Sequence, residues 1–475
     1  MTKKYLTRLL QASLICCLTV LFTGCDEILS ALDNPIQTAL SMATNDVKLK
    51  IGDTYQRQAT SASPATVAYS SADPAVATVD ANGVVTALAA GTTTITASVA
   101  QVDYWLPASA SYKVTVTPAT VAVTGLTLNK ANLRFGMNAP TAQALIADVL
   151  PADATDKTVT WTSSDPTVAT VDASGNVTPK AKGTATITAK AGDQTATSTV
   201  YVYDKIVDIN DGAASVTAGE SWLINGNGTK VANGITIGAG ATVTLNGINI
   251  TKEIECLGDA TIILADGSTN TVIGSYLKAG IVVGPSGTTL TIDAETAGDG
   301  KLNVTGGSQG AGIGTSYNYS FDITCGAITI NGGEITATGG SSAGIGTAVT
   351  IAKNSTCGAI TINGGTVTAT GGSCSAGIGT GQDYGKSNTC GAIAIGTGVT
   401  SVTATKGNSS PNSIGKGYTS GGTQNCGTIT FGTASVFNGS VWSPAPMVAG
   451  IYGGLNLAIS TTTNADDTWT LTPAN

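Results

Sequence analysis

A sequence block recurs with a nearly constant period in the C-terminal half of the chain. It starts with Cys-Gly-Ala-Ile at Cys325, Cys357 and Cys390, and a weaker copy starts at Cys426, so the spacings are 32, 33 and 36 residues. A second marker, Ala-Gly-Ile-Gly-Thr, begins at residues 311, 343 and 376. Periods of roughly 20–50 residues are typical of solenoids, in which each repeat buries its apolar side against the next. The block therefore predicts a stack of similar coils.

Alternating apolar residues predict short strands within each period. Three such runs, Ile328–Ile330, Ile335–Ala337 and Ala343–Ile345, are separated by glycine-rich corners. Alternation of period two is typical of strands, and glycine permits sharp turns between them. Three strands per turn, stacked in parallel, make an all-β solenoid, a parallel β-helix over residues 205–475 with roughly nine coils. Bulky side chains are expected to cap its two ends: Trp222, Trp442 and Trp469.

Composition and charge exclude several classes of function. The chain has 475 residues, of which 60 are Gly, but Val, Ile and Thr recur too regularly for a disordered linker. It contains no histidine, which removes the catalytic triads and zinc sites that depend on histidine. The formal net charge is −8, and the sequence has no basic patch to neutralise phosphates. We therefore expect no nucleic-acid partner, and we expect a monomer.

Two copies of one small β domain precede the solenoid. The segment Tyr69–Gly83 matches Trp161–Gly175 at a constant offset of 92 residues, and both contain Ser-x-Asp-Pro-x-Val-Ala-Thr-Val-Asp-Ala. Short alternating strands with turns at Asp-Pro and at Asn-Gly or Ser-Gly predict a β-sandwich. The motif closely resembles the bacterial Ig-like domain, group 2, over residues 39–118 and 122–203. This resemblance implies a spacer or adhesion module at a cell surface.

The N-terminus has the pattern of an export signal. Basic residues precede an apolar stretch, Leu9–Phe22, which is too short for a typical membrane-spanning helix. It leads to Cys25, and the four residues ending there resemble the lipobox of bacterial lipoproteins, although Phe22 stands where that family usually has Leu. The resemblance implies a signal peptide at 1–25, lipidation of Cys25, and a membrane contact through that lipid. An ordinary signal peptide with a chance cysteine is the alternative.

The residues after Cys25 indicate where in the cell the protein is located. Asp26 and Glu27 resemble a surface-export signal of some Gram-negative gut bacteria, which implies an outer-membrane protein that faces the cell exterior. Residues 26–38 are then a linker to the first sandwich.

The C-terminal half also resembles a known class of domain. The string Ala260–Thr271, followed by the Ala-Gly-Ile-Gly repeats, is similar to carbohydrate-binding β-helix domains of bacterial surface proteins. The resemblance covers most of residues 205–430 and implies binding of polysaccharide or host glycan.

Tyrosines recur in the loop that follows each Ala-Gly-Ile-Gly-Thr marker. This loop varies while the coil stays constant, and variable loops on a rigid scaffold are where binding residues concentrate. Aromatic rings can stack on sugar rings while the hydroxyl stays in water. Either these tyrosines form a glycan-binding edge, or each only covers its own loop. The candidate ligand-binding residues are Tyr317, Tyr319, Tyr384 and Tyr418.

The recurring cysteines are expected to stack on one edge of the solenoid. Four residues at steps of roughly 4.8 Å along an axis cannot converge on one metal ion. A ladder of small apolar side chains is the favoured interpretation, and disulfides between neighbouring coils are the alternative in an exported protein. Cys256 and Cys374 lie outside the ladder and have no evident partner.

One acidic corner is the best candidate for acid–base chemistry. It contains Asp293, Glu295, Asp299 and Lys301, and a solvated turn or a calcium-binding corner are the other interpretations. Residues 205–475 contain no Arg, and no spacing there forces two carboxylates together. We therefore expect no enzymatic activity, no catalytic residue and no cofactor.

These features together predict a surface lipoprotein that binds glycan non-catalytically through its β-helix, with the Ig-like domains as a stalk. A structural or adhesive protein that contacts other proteins is one alternative. A polysaccharide lyase or hydrolase is the other.

Overall fold

The computed structural model describes residues 35–295, 298–438, 449–461 and 467–474, and strands make up 51% of the chain. Cys25 and Trp442 lie outside the described residues. Within the described ranges, no helix has the length and apolar character needed to cross a bilayer. The chain forms two compact units, one with residues 1–125 and 149–157 and one with 126–148 and 158–475.

The first unit contains a β-sandwich. Strands Gly91–Val99 and Ala108–Thr117 pair antiparallel, and Val47–Lys50 joins the second of them in parallel. Ile95 and Val114 are fully buried, because alternate side chains of a strand face the opposite sheet. The remaining strands are Leu40–Ser41, Thr54–Gln56, Thr60–Ser61, Ala68–Ser71, Ala77–Val79 and Val84–Ala87.

The second unit begins with an equivalent sandwich. Its long hairpin, Gly183–Ala191 with Gln194–Tyr203, turns within two residues, whereas eight residues connect the corresponding strands of the first copy. Ile187 and Val200 are fully buried in its core. The remaining strands are Gly125–Leu128, Asn132–Gly136, Gln143–Ala144, Ala147–Leu150, Thr160–Ser163, Ala169–Val171 and Asn176–Pro179.

A parallel β-helix follows in the second unit, and its first side is called face A. Nine of the ten described face A strands are parallel and in register, so that Ile292, Ile330, Ile362, Ile395 and Phe431 form one inward column. The face A strands are Lys205–Asp208, Ser221–Asn225, Ala241–Asn246, Ala260–Leu264, Thr289–Ala294, Ala327–Ile330, Ile360–Ile362, Ile393–Ile395, Thr428–Phe431 and the antiparallel Ala434–Asn438.

Face B follows face A along the chain, and from Asn249 onward a strand of face C lies between them. Face C contains Asn249–Ile250, Thr269–Ile273, Lys301–Thr305, Glu334–Thr338, Gly365–Thr370 and Val399–Thr405, then antiparallel Asp467–Pro473, Leu455–Thr461 and Gly450–Tyr452. Face B contains Ala214–Val216, Ile235–Ile237, Ile254–Cys256, Ile281–Val282, Ile313–Gly314, Ile345–Gly346, Ile378–Gly379 and Ile414–Gly415.

The later coils have a fourth strand, which the prediction of three strands per coil did not include. The chain between face B and the next face A is longer there. The end of this connection forms a strand that pairs with the equivalent strand of the next coil. This face D ends each time at a cysteine, and its strands are Ile323–Cys325, Ser355–Cys357, Ser387–Cys390 and Thr423–Cys426.

Apolar side chains fill the inside of the β-helix from Ile209 to Leu471. Trp222 is buried near the first coil, with the ammonium of Lys205 4.6 Å from its ring centre. Trp469 packs edge-on against Phe431 at 6.4 Å between ring centres. Both tryptophans lie near an end of the stack, where aromatic bulk covers apolar surface that no further coil would bury.

Glycine is required where face B turns into the following loop. Gly346 has a φ of 136°, and a Cβ atom there would lie 1.9 Å from the carbonyl oxygen of Gly379 in the next coil. Gly314 and Gly379 meet the coils that follow them in the same way. A side chain at this column would push two coils apart and break their hydrogen bonds.

We predict that Gly346→Ala destabilises the β-helix by about 3 kcal/mol or more, because backbone must move to admit the methyl group. Gly240→Ala is the matched control, since Gly240 also has a positive φ of 74° but open space around its Cβ position. The control should cost only about 1 kcal/mol, the strain of the left-handed backbone. Thermal unfolding measures both, and equal losses would refute the close-approach argument.

Candidate functional site

The loops that join face B to face D lie at one edge of the β-helix and are called the edge loops. They comprise residues 315–322, 347–354, 380–386 and 416–422. Parallel bridges link Thr350 to Asp383 and Asp383 to Thr419, so the last three loops are stacked in register. The first loop keeps the same offset to the second at both of its ends. Equivalent positions in successive loops can therefore be compared directly.

The inner positions of the edge loops are Tyr317, Val349, Gln382 and Tyr418. The first three are buried, and Tyr418 in the last loop is 42% exposed. Tyr317 packs against Val349 and Ala348, and burial together with the neighbouring Tyr319 raises its pKa. The ring of Tyr317 thus supports the loop layer and does not face solvent, unlike the stacking surface expected from the sequence.

The outer positions expose large apolar groups in three consecutive loops. Tyr319 is 57% exposed, Ile351 39% and Tyr384 50%. Tyr319 is held edge-on against Tyr317, with 4.6 Å between ring centres. Of the four tyrosines named from the sequence, Tyr319, Tyr384 and Tyr418 are exposed, and Ile351 lies between the first two.

A groove of about 430 Å³ runs beside these outer positions. Gln309, Ser341 and Ser373 line it from the turns that join face C to face B, and Ile351 and Tyr384 line it from the edge loops. The buried side chains of Val349 and Gln382 complete the lining. The Oε1 atom of Gln309 is buried and makes no hydrogen bond to another protein atom. The groove therefore offers one aromatic ring, apolar contacts and neutral hydrogen-bonding groups.

A ladder of polar side chains holds the edge loops in place. Ser355, Asn388 and Gln424 are in register on face D, each two residues before a cysteine of the repeat. Asn388 donates from Nδ2 to the carbonyls of Ala348 and Gly381 at 3.0 Å each, and Gln424 donates from Nε2 to Gly381 at 2.8 Å. Sequence reasoning missed this ladder, although the constant spacing to the cysteine was a usable signal.

The interior of the edge loops also contains oxygens suited to a hard cation. Asp383 is fully buried; its Oδ1 accepts from Gly385 N at 3.0 Å, and its Oδ2 has no protein partner. Thr350 Oγ1, Asn388 Oδ1 and Gln424 Oε1 also lack protein partners. Carboxylate, amide and hydroxyl oxygens are the donors that Ca²⁺ prefers. Among the described residues, no group of three or more His, Cys, Asp or Glu side chains forms a metal-binding cluster.

The acidic corner makes structural contacts at each of its four residues. Glu295 is paired with Arg134 of the second sandwich and accepts from Asp266 N at 3.0 Å. Lys301 pairs with Glu334 at 2.6 Å, and Asp299 accepts from Gly267 N at 2.7 Å. The carboxylate of Asp293 accepts from Ala294 N at 2.8 Å.

The pair of Arg134 and Glu295 joins the second sandwich to the β-helix within one unit. The side chain of Glu295 is only 3% exposed. Burial disfavours the charge of Arg134, but attraction to Glu295 and hydrogen bonds with Glu295 and Tyr203 outweigh it and raise its pKa. Burial also raises the pKa of Tyr203 to about 12, so it stays a neutral donor, 3.4 Å from Glu295 Oε1. Sequence reasoning could not find a partner 161 residues away.

We predict that Arg134→Ala costs about 3 kcal/mol of stability, because it leaves the carboxylate of Glu295 buried without its cation. Lys182→Ala is the control, since Lys182 pairs with Asp204 at 3.3 Å but is 53% exposed. The control should cost less than about 1 kcal/mol. Denaturant unfolding distinguishes the two variants, and a small effect for both would show that the buried pair is dispensable.

Comparison with known families agrees with the two kinds of fold. Residues 38–104 and 137–202 match the bacterial Ig-like domain (group 2), and residues 328–348 and 360–382 match the beta helix repeat. The chain contains two bacterial Ig-like domains and a β-helix. The β-helix repeat does not separate enzymes from non-enzymes, because proteins of both kinds contain it.

Three curated relatives cover parts of the chain. An Ig-like virion protein of Serratia phage KSP90 is 43% identical over 128 residues, which is 27% of this chain and 48% of the relative. Ice-binding protein 1 of Shewanella frigidimarina is 33% identical over 31% of this chain and 16% of the relative. Lacto-N-biosidase of Bifidobacterium bifidum is 44% identical over 19% of this chain and 8% of the relative. The chain spans less than half the length of each.

Solved structures show only distant similarity. Drosophila N-cadherin EC1-4 matches with a TM-score of 0.24 and 12% identity over 36% of this chain and 49% of the cadherin chain. A TM-score this low carries no functional argument.

Proposed function

We propose that this protein is a lipid-anchored surface protein that binds polysaccharide or host glycan, without cleaving it, in the groove beside its edge loops. The observation that carries the proposal is the groove itself, in which the half-exposed ring of Tyr384 and the side chain of Ile351 face Gln309, Ser341 and Ser373 across about 430 Å³. The Ig-like domains serve as a spacer.

The chemistry of the groove fits a sugar. A tyrosine ring packs against the apolar face of a pyranose, and hydroxyl and amide groups pair with its hydroxyls. Ligand sites of roughly 300–1,000 Å³ with few polar groups are typical of small-molecule recognition.

The charge of the lining selects among glycans. Its residues, from Gln309 to Tyr384, are all uncharged, and the whole chain carries a net charge of −8. An acidic polysaccharide would be repelled by the overall charge and would find no cation in the lining. We therefore propose a neutral glycan.

The scaffold supports an extended ligand. The lining residues belong to successive coils, and strand ladders hold those coils at a spacing of roughly 4.8 Å. A site built on rigid ladders loses little entropy when a ligand binds. A chain of sugars lying along the solenoid axis would contact equivalent positions in turn.

Two observations support a non-catalytic role. The residues of the acidic corner already hold the structure together, and the groove lining contains no carboxylate. Glycoside hydrolysis usually needs two carboxylates about the scissile bond. The similarity to a lacto-N-biosidase keeps cleavage as an outcome that the experiment must measure.

The location rests on the sequence. The signal peptide is removed, the lipid on Cys25 anchors the protein, and Asp26 and Glu27 supply the export signal. Palmitate labelling of the protein in its host, with Cys25→Ala as the control, tests the anchor. Label that persists in the variant would overturn it.

We predict that Tyr384→Ala weakens binding to a neutral polysaccharide at least about tenfold, because it removes the aromatic face of the groove. The melting temperature should change little, since Tyr384 is half exposed. Tyr104→Ala, an exposed tyrosine of the first Ig-like domain, is the matched control and should bind as the parent does. Affinity is measured by calorimetry on the full mature chain.

A screen of neutral polysaccharides, read for both binding and depolymerisation, precedes these variants. Shortened polysaccharide would overturn the non-catalytic assignment. Equal affinity of the Tyr384 variant and the parent would exclude the groove as the glycan-binding site. Absence of binding in the whole screen would favour a protein ligand, and thus the adhesive alternative.

A further inference from the structure

The four cysteines of the repeat form one buried column on face D. Cys325, Cys357, Cys390 and Cys426 are in register in adjacent parallel strands, and each is at most 5% exposed. Parallel strands place paired Cα atoms roughly 4.8 Å apart. That separation lies within the range of roughly 4.4–6.8 Å that disulfides span.

Within this column, the first two sulfurs approach closely. The Sγ atoms of Cys325 and Cys357 are 2.9 Å apart. Nonbonded carbon atoms already rest at roughly 3.5–4.0 Å, and sulfur is larger than carbon. A separation of 2.9 Å is therefore too short for a relaxed contact of two thiols, and a shift of less than an ångström brings it to the disulfide length of roughly 2.05 Å.

The column divides into two pairs. Cys325 and Cys357 are hydrogen-bonded through their sulfurs, which leaves Cys390 and Cys426, in register on adjacent strands, as the second pair. The other sulfur contact of Cys357 runs to the carbonyl of Gly326 at 3.9 Å. The pairing therefore alternates along the solenoid.

We propose that the mature protein contains two coil-bridging disulfides, Cys325–Cys357 and Cys390–Cys426. Each pair of thiols loses two protons and two electrons as its S–S bond forms. An oxidised disulfide, from a small molecule or a thiol oxidase, accepts them and is released as two thiols. The assignment relies on export to an oxidising compartment, which belongs to the proposed function.

We expect the bonds to form while the coils are still closing, because the four sulfurs are buried once the chain has folded. Hydrogen bonding to the partner cysteine and burial raise the pKa values of Cys357 and Cys390, whereas hydrogen bonding to Cys390 lowers the pKa of Cys426. Once made, the bonds are shielded from reductants because the four sulfurs are buried. Each one closes a single coil that carries an edge loop, residues 347–354 in the first pair and 416–422 in the second.

Two cysteines stay as thiols. Cys256 lies on face B and is buried, where burial raises its pKa to about 12. Cys374 lies in the turn between faces C and B with a φ of 64°. Neither residue belongs to the face D column.

In the test, the purified full chain is reduced, unfolded and then refolded in oxidised and reduced glutathione, so that the thiols are accessible while the bonds form and the outcome does not depend on cellular location. The protein is then denatured and its thiols are alkylated. We expect that, of the six cysteines after Cys25, only Cys256 and Cys374 take label, and that intact mass is lower by four hydrogen atoms. Peptide mapping without reduction should show the links 325–357 and 390–426.

Variants distinguish disulfides that stabilise the fold from cysteines that only pack in the interior. Reduction should lower the melting temperature of the parent by roughly 5 °C or more. In Cys325→Ser/Cys390→Ser, reduction should have no such effect, whereas Cys256→Ser should behave as the parent does. Label on all six cysteines after oxidation, or a link between Cys357 and Cys390, would overturn the proposal. Either result leaves glycan binding untouched, so the two proposals fail separately.

Discussion

The in-register pairing of successive coils is the interaction on which the rest of the β-helix depends. Every coil gives its backbone donors and acceptors to its neighbours and adds one layer to a continuous apolar column. Register has a strict consequence, because equivalent residues must stack on each other. Isoleucine over isoleucine fills the interior, asparagine over asparagine bonds at 3.0 Å between Asn331 and Asn363, and glycine over glycine lets the coils approach at the face B corner.

The same constraint concentrates variation at one edge. A change inside the coil would disturb both neighbours, whereas the edge loops alter only their own outer surface. The side chains of Ser355, Asn388 and Gln424 form hydrogen bonds with the edge loops. These bonds hold the backbone of the loops, and so their outer residues, in place. A groove built in this way is preorganised, and preorganisation would reduce the entropy lost in the proposed binding.

Periodicity made much of this fold predictable from the sequence, but it could not predict contacts between residues that are far apart in the chain. Alternation of Ile328 and Ile330 with a period of two was sufficient to predict strands, inward faces and stacking. The burial of Tyr317 was not predictable, because it depends on Val349 in the next loop. The sequence left acid–base chemistry, a solvated turn and a calcium-binding corner open for the cluster that contains Glu295. The pairing of Glu295 was not predictable for the same reason, since its partner Arg134 belongs to another domain.

Hydrogen–deuterium exchange of the full chain, with and without a bound neutral polysaccharide, would show whether the edge loops hold the ligand. If glycan binds in the groove, exchange should slow in residues 347–354 and 380–386 and in the turns that contain Ser341 and Ser373. Exchange should not change in either Ig-like domain. Protection confined to the Ig-like domains, with unchanged exchange in the edge loops, would contradict binding in the groove and would assign it to the modules interpreted here as a spacer.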